Sequence, residues 1–324
     1  CLVGSEMCIR DSQEAIMKRY GKSNQKLFYS TVFLLLVVFM CVAQSTVERR
    51  DAQAEETTSD SLLSVLVPEE NPDTDEVLPV TADADISDLL LPKEEYTDVS
   101  DIQTRKYSIS GKYNILIYHT HTTEAYRQTE GETYTESSSW RTEDEDRNIV
   151  AVGEQLKTEL EKYGFNVLHD TTDHEPPKLS TAYSRSIITM EEYKEKYPDI
   201  DVYIDVHRDA AGDSTSNDDY VTINGDECAK LMFVVGKGTA ASVKGDKPNW
   251  QANYALAKSI TEQLESIKKG FTREIRLKPG RYNQHISDMS LLVEVGHNKN
   301  TLTQAKNAAK YLAQAFSQVV SVDN

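Results

Sequence analysis

Two histidines and a glutamate close the string Ile115-Leu116-Ile117-Tyr118-His119-Thr120-His121-Thr122-Thr123-Glu124, where an apolar run gives way to polar residues. His121 and Glu124 form an H-x-x-E spacing. Two later apolar runs carry the same kind of residue, one ending at His207 and one holding Glu294. Two imidazoles and a carboxylate suit Zn2+ in a site that keeps a position open for water. A further carboxylate beside such a centre can move the proton that hydrolysis requires. The residues therefore point to a zinc hydrolase, with His121, Glu124 and His207 as metal ligands and Glu294 as the proton-transfer group. Plainer readings compete. H-x-x-E arises often by chance, a histidine after a strand is usually a loop or core residue, and Glu294 could form a structural ion pair. Against the last stands its setting in Leu291-Leu292-Val293-Glu294-Val295, where a carboxylate is costly unless paired, metal-linked or functional.

The elements that must position these residues follow from periodicity. Tyr113 to Tyr118 reads as a buried strand. Ile149, Val152, Leu156 and Leu160 give helical spacing over 146–163, closed by Gly164. A strand at 165–168, a helix over 179–197 stopped by Pro198, and a strand at 201–206 follow. Asn224-Gly225-Asp226 predicts a hairpin between 220–223 and 230–235. A helix over 249–268, strands at 273–277 and 290–295, and a final helix from Thr301 complete the chain. The alternation predicts an α/β fold of three αβα layers, with a mixed, mostly parallel sheet flanked by helices. Sites in such sheets lie beyond the carboxyl ends of the strands, so His121, Glu124, His207 and Glu294 can converge.

The chain has 324 residues and a formal net charge of -18. That charge argues against nucleic acid as a partner. Much of the acidity lies in 46–111, which is rich in Asp, Glu, Ser, Thr and Pro and reads as a disordered linker. Residues 1–16 read as a non-native leader resembling translated adapter DNA, with Met17 as the expected natural start. Residues 17–45 read as a basic flank and a transmembrane anchor or signal, the apolar part being 27–43. The charge bias puts everything after it outside the cytoplasm. The catalytic domain is expected over 112–324. Of four cysteines, only Cys228 falls in that domain, so it forms no internal disulfide.

At these residues the chain resembles the stage II sporulation protein P family. The likeness is carried by 115–126, by Arg147-Asn148-Ile149-Val150-Ala151-Val152-Gly153, by His169-Asp170-Thr171-Thr172-Asp173-His174 and by Ala182-Tyr183-Ser184-Arg185-Ser186. It continues through Asp205-Val206-His207-Arg208-Asp209-Ala210, Arg281-Tyr282-Asn283-Gln284 and Leu292-Val293-Glu294-Val295-Gly296. The resemblance implies a fold like that of zinc amidases and carboxypeptidases. It implies a zinc-dependent N-acetylmuramoyl-L-alanine amidase acting on peptidoglycan during engulfment, with cleavage of peptide cross-links as well. It also implies a single-pass membrane protein with its domain between forespore and mother cell, and stage II sporulation protein D as a partner. In related amidases the ligand carboxylate opens the first helix, which leaves Asp144, Glu145 and Asp146 as alternatives to Glu124. His285 and His297 depart from the family pattern. Position alone suggests His119 for support behind the ligands or for an oxyanion, Arg208, Asn283 and Gln284 for substrate contacts, and Asp209 for holding a ligand histidine's far nitrogen. Two other functions stay open. A carboxypeptidase-like zinc peptidase would use Arg273, Arg276 or Arg281 for a substrate carboxylate. A non-catalytic wall-binding scaffold would need none of this chemistry.

Overall fold

The computed structural model describes residues 97–323 except 213. The expected leader, the anchor and most of the linker lie outside the described residues. Among those described, no helix is long and apolar enough to cross a membrane.

The central sheet has six strands. They are β2 (Ile115–Tyr118), β3 (Val167–His169), β4 (Val202–Asp209), β7 (Leu231–Gly236), β8 (Arg276–Lys278) and β9 (Ser290–His297). Their order is β3-β2-β4-β9-β7-β8. All neighbours are parallel except β7 and β9. Helices α1 (Ile149–Glu161), α2 (Ala182–Lys196), α3 (Trp250–Ile267) and α4 (Leu302–Val319) flank it. The fold is thus α/β, with a mixed, mostly parallel sheet between helical layers.

The strand period of two sorts side chains onto two faces. Ile115, Ile117, Ile204, Val206, Val293 and Val295 join the core built with α1, α3 and α4. Leu116, Tyr118 and Tyr203 pack instead with Met190 of α2. On that second face, Met232, Val234 and Leu292 lie against Tyr183 and Tyr282. The odd-numbered residues of β4 and the even-numbered residues of β9 therefore share the α2 face. This puts Asp205, His207 and Glu294 on one side of the sheet.

Local signals set the helix ends. Asn148 caps α1, its side-chain oxygen accepting from Val150 N at 2.9 Å. An oxygen there satisfies an amide the helix itself leaves unpaired. Thr301 and Gln304 form a capping box on α4. Both caps follow or precede chain that reaches the strand ends, so they also fix the loops carrying the site.

The boundaries differ from expectation in three places. β1 (Tyr107–Ile109) pairs in parallel with β10 (Val320–Val322), so the described fold starts before the expected boundary at 112. Upstream of it, Lys258 Nζ donates to Ile102 O at 2.7 Å and Lys237 Nζ to Thr97 Oγ1 at 2.8 Å, inside the span read as disordered linker. The hairpin is made by β5 (Tyr220–Ile223) and β6 (Asp226–Ala229), not by 220–223 and 230–235. Asn224 and Gly225, at φ of 54° and 93°, form the tight turn that needs so short a loop. The residues expected as its second arm become β7 in the main sheet. The helix expected over 179–197 begins as a 3-10 turn, Leu179–Thr181, before α2.

Candidate functional site

The register of β4 on β9 sets His207 beside Glu294. Partners in a parallel pair project to the same face, so the imidazole and carboxylate are cross-strand neighbours. His121 arrives from the loop after β2. Its ring lies 5.5 Å from that of His207, edge to face. Glu124 Oε2 lies 3.5 Å from His207 Nδ1. The sheet thus brings together four residues from three segments far apart in sequence.

The loop that carries Glu124 is pinned by its backbone. Arg208 N donates to Glu124 Oε2 at 3.0 Å, and Ile149 N at the head of α1 donates to Glu124 O at 2.8 Å. Tyr126 Oη donates to Val295 O at 2.8 Å, tying the loop to the end of β9. The carboxylate is therefore held in place by strand and helix ends.

The electrostatics follow from crowding in a buried place. Burial would raise the Glu124 carboxyl. The hydrogen bond and charge of His207, helped by Arg208 and His121, outweigh it and hold Glu124 below the usual carboxylate range. Burial likewise opposes a charge on His207, but Asp205 and Glu124 outweigh it and raise that imidazole well above its ordinary value. Glu294 shows the opposite balance. Burial and the charge of Asp209 push it up to about 8, with His207 opposing and Glu124 adding. Its Oε2 is buried and has no hydrogen-bond partner. Burial is the larger cause and like charge the smaller, and a cation placed beside the carboxylate would oppose both.

Zinc can be tested against these residues. His121 Nδ1 is buried and without a hydrogen-bond partner, with Glu175 Oε1 at 3.6 Å. Asp205 Oδ1 sits 2.9 Å from His207 Nε2, on the ring's far side from Glu124, though outside hydrogen-bond angles. A carboxylate behind a ligand imidazole is the usual support for a metal-bound histidine. Among the described residues, no three His, Cys, Asp or Glu side chains already stand gathered at coordination spacing. The donor types, the unpartnered nitrogen and the surplus of carboxylates nevertheless fit zinc.

Three contributors escaped the sequence reading. Asp205 is fully buried, accepts from Thr120 N at 2.8 Å and Thr120 Oγ1 at 2.6 Å, and backs His207. Its signal was present, because it interrupts an apolar strand just as Glu294 does. Glu175 faces His121 and accepts from Arg141 Nη1 at 2.7 Å. It lies in an irregular loop with no pattern to mark it. Tyr183, on the first turn of α2, packs edge-on to His121 at 5.9 Å and stacks parallel to His207 at 6.5 Å.

Several expected supporting roles are corrected. His119 projects to the α1 face, where Nδ1 meets Val206 O and Nε2 meets His169 Nε2, each at 2.9 Å. Burial and the His169 charge hold His119 down to about 3. With both nitrogens engaged, it offers no donor to an oxyanion. Arg208 is buried and donates to Ala125 O and Trp140 O, bracing the Glu124 loop. Gln284 accepts from Gly236 N and donates to Val234 O, taking up β7 backbone groups at the end of its pairing with β9. Asn283 donates to Tyr183 O and Ser186 Oγ. These three polar side chains satisfy buried backbone, which leaves them little to give a substrate. Asp209 does not hold a ligand histidine. It pairs with Arg273 at 2.6 Å, and Asp205 takes the position behind His207. Asp144, Glu145 and Asp146 are exposed in the turn before α1. His297 Nε2 faces Asp219 at 3.3 Å, and burial lowers the pKa of His285.

Comparison with known proteins adds a family. The family model described as Stage II sporulation protein P (SpoIIP) matches residues 42–317. Stage II sporulation protein P of Bacillus subtilis (strain 168) is 25% identical over 265 residues, covering 78% of this chain. The chain spans 62% of the length of that relative. Among solved structures, the CwlD amidase of Clostridioides difficile, in complex with the GerS lipoprotein, aligns at a TM-score of 0.40 and 14% identity, over 63% of this chain and 94% of its own. N-acetylmuramoyl-L-alanine amidase AmiC2 of Nostoc punctiforme aligns at 0.36 and 16%, over 64% and 95%.

Proposed function

The chain belongs to the stage II sporulation protein P family, and on that premise we propose that it is a zinc-dependent peptidoglycan hydrolase of sporulation. The bond it cleaves is the amide between N-acetylmuramic acid and L-alanine. One observation carries the reading: His121, Glu124 and His207 converge at the strand ends with Glu294 as the cross-strand neighbour of His207. His121, Glu124 and His207 would hold the metal. Zinc bound there supplies Lewis acidity, which activates water and polarises a carbonyl.

The chain's own residues do the rest. Asp205 orients His207 from behind, and Arg208 N orients Glu124. Glu294 accepts the proton of the attacking water and returns it to the leaving nitrogen. A carboxylate beside the ligand His207 can both take up and return a proton, which suits both halves of that exchange. Tyr183 walls the site over both imidazoles and limits water around the reacting atoms. Anchorage by one N-terminal helix, an extracytoplasmic location and a partnership with stage II sporulation protein D belong to the same proposal and rest on the family resemblance.

The test is product analysis. The full chain, loaded with zinc, is incubated with purified peptidoglycan. Release of intact stem peptides with a new L-alanine amino terminus is expected. Loss of terminal amino acids alone would replace the amidase with a carboxypeptidase. No zinc-dependent product would leave only a wall-binding scaffold.

A further inference from the structure

Beside Glu294, at the same end of the sheet, lies a guanidinium that the proposed hydrolysis does not use. Arg273 N donates to Leu231 O at 2.8 Å, which fixes it at the start of β7, next to Met232, the register partner of Glu294. With strands roughly 4.8 Å apart, this puts Arg273 within about 10 Å of Glu294 along the backbone. The charge of Arg273 acts directly on the Glu294 carboxyl.

The side chain is held by one nitrogen only. Arg273 Nη1 pairs with Asp209 Oδ2 at 2.6 Å. Nε and Nη2 are both buried and have no hydrogen-bond partner. These two nitrogens form one edge of the planar group, whose parallel N–H bonds match a carboxylate in a bidentate fork. Burying such donors unpaired is costly, so an acceptor that reaches this edge is strongly favoured. Arg276 adds a second cation. It is the register partner of Val234, which shares the α2 face with Leu292, so it projects to the side that carries Glu294. Its Nη1 lies 3.9 Å from the same Asp209 oxygen, and its side chain is 51% exposed. Asp209 is thus shared by two arginines, so it does not neutralise both. Arg281 differs, because its Nη1 is committed to Lys244 O and Asp246 O.

We propose that Arg273 and Arg276 form a carboxylate subsite that receives a free carboxylate of the peptide being cleaved, close to its scissile amide. Arg273 supplies the bidentate fork, Asp209 fixes its plane, and Arg276 adds charge from the rim. The peptide identity rests on the peptidoglycan reading. In a stem peptide, the free α-carboxylate of a side-chain-linked D-glutamate is the group of this kind nearest the amide.

Binding of paired peptides to the full, zinc-loaded chain tests it. One probe is L-alanine joined to D-glutamate, with the α-carboxylate free and every other carboxyl amidated. The other carries a carboxamide in that position. The wild type should bind the carboxylate about tenfold or more tightly, as expected for charge-assisted bonds to one group. Arg273→Lys, which keeps the charge but loses the fork, should bring the ratio close to one. Arg276→Ala, at a half-exposed position, should reduce it in part. Equal binding of both probes by the wild type, or an undiminished ratio in Arg273→Lys, overturns the subsite. Peptidoglycan cleavage is measured alongside. Cleavage with equal binding sinks the subsite alone, and selective binding without cleavage sinks the hydrolase reading alone.

Discussion

Two histidine–carboxylate clusters start from the same strand end and differ in how their polar atoms are satisfied. On the α1 face, His119 meets Val206 O and His169, and His169 Nδ1 meets Glu154 at 3.0 Å. Every ring nitrogen there has a partner. On the α2 face, His121 Nδ1 and Glu294 Oε2 are buried without one, and His207 leans on Glu124 and Asp205. A satisfied buried network rigidifies a core, whereas an unsatisfied one stores free energy that a ligand can release. The first cluster locks β2, β3 and α1 together. The second is arranged for chemistry.

The sharpest way to break this contrast is to disable each cluster in turn. Glu294→Gln should lower peptidoglycan cleavage by about 10²–10⁴-fold, the range for loss of a general acid–base group. His169→Leu should cost stability while cleavage persists, and a reversed outcome would dissolve the distinction. Glu294 also predicts a pH effect on the metal-free chain. Its folded pKa is raised from 4.5 to about 8, so its stabilising proton is fully present below the lower value and is lost through the upper. Metal-free Glu294→Gln should therefore match the wild type below about pH 4.5 and exceed it increasingly as pH rises to about 8, reaching on the order of a few kcal/mol. Denaturant titration at both pH values checks the sign.

A smaller effect probes the support behind the ligands. Asp205→Asn removes the charge behind His207 and should weaken zinc binding about 10–100-fold, as measured by competition with a chelator. The smallest belongs to the α1 face. A Cβ on Gly153 would stand 2.6 Å from His119 Nε2 and 2.7 Å from His169 Nε2. Gly153→Ala should therefore cost about 1–3 kcal/mol in unfolding free energy. Unchanged zinc affinity in that variant would keep the two clusters energetically separate.

Much of this was legible in the sequence. Apolar periodicity marked α1 and α4, and runs of apolar residues marked β2, β4 and β9, since burial on both faces leaves little else. The convergence of His121, His207 and Glu294 followed from strand ends alone. What escaped has physical causes. The faces of β2 were not separable, because His119 and His121 differ only in what the chain does after the strand ends. Arg208, Asn283 and Gln284 looked like substrate contacts by nearness in sequence, yet nearby carbonyls and amides claim them. Asp205 carries a readable signal. The rule that singled out Glu294, a carboxylate in an apolar strand, applies equally to Val202–Asp209. β7 was misread as a hairpin arm because a turn signal shows where a chain reverses but not how far the pairing runs.

We propose that the α2-face cluster holds zinc. Metal analysis of the purified full chain after exposure to zinc and removal of the excess tests it most directly. About one zinc per chain is expected, lost in His121→Ala and in His207→Ala and kept in His169→Leu. A wild type without bound zinc, or equal zinc in all four proteins, would contradict it.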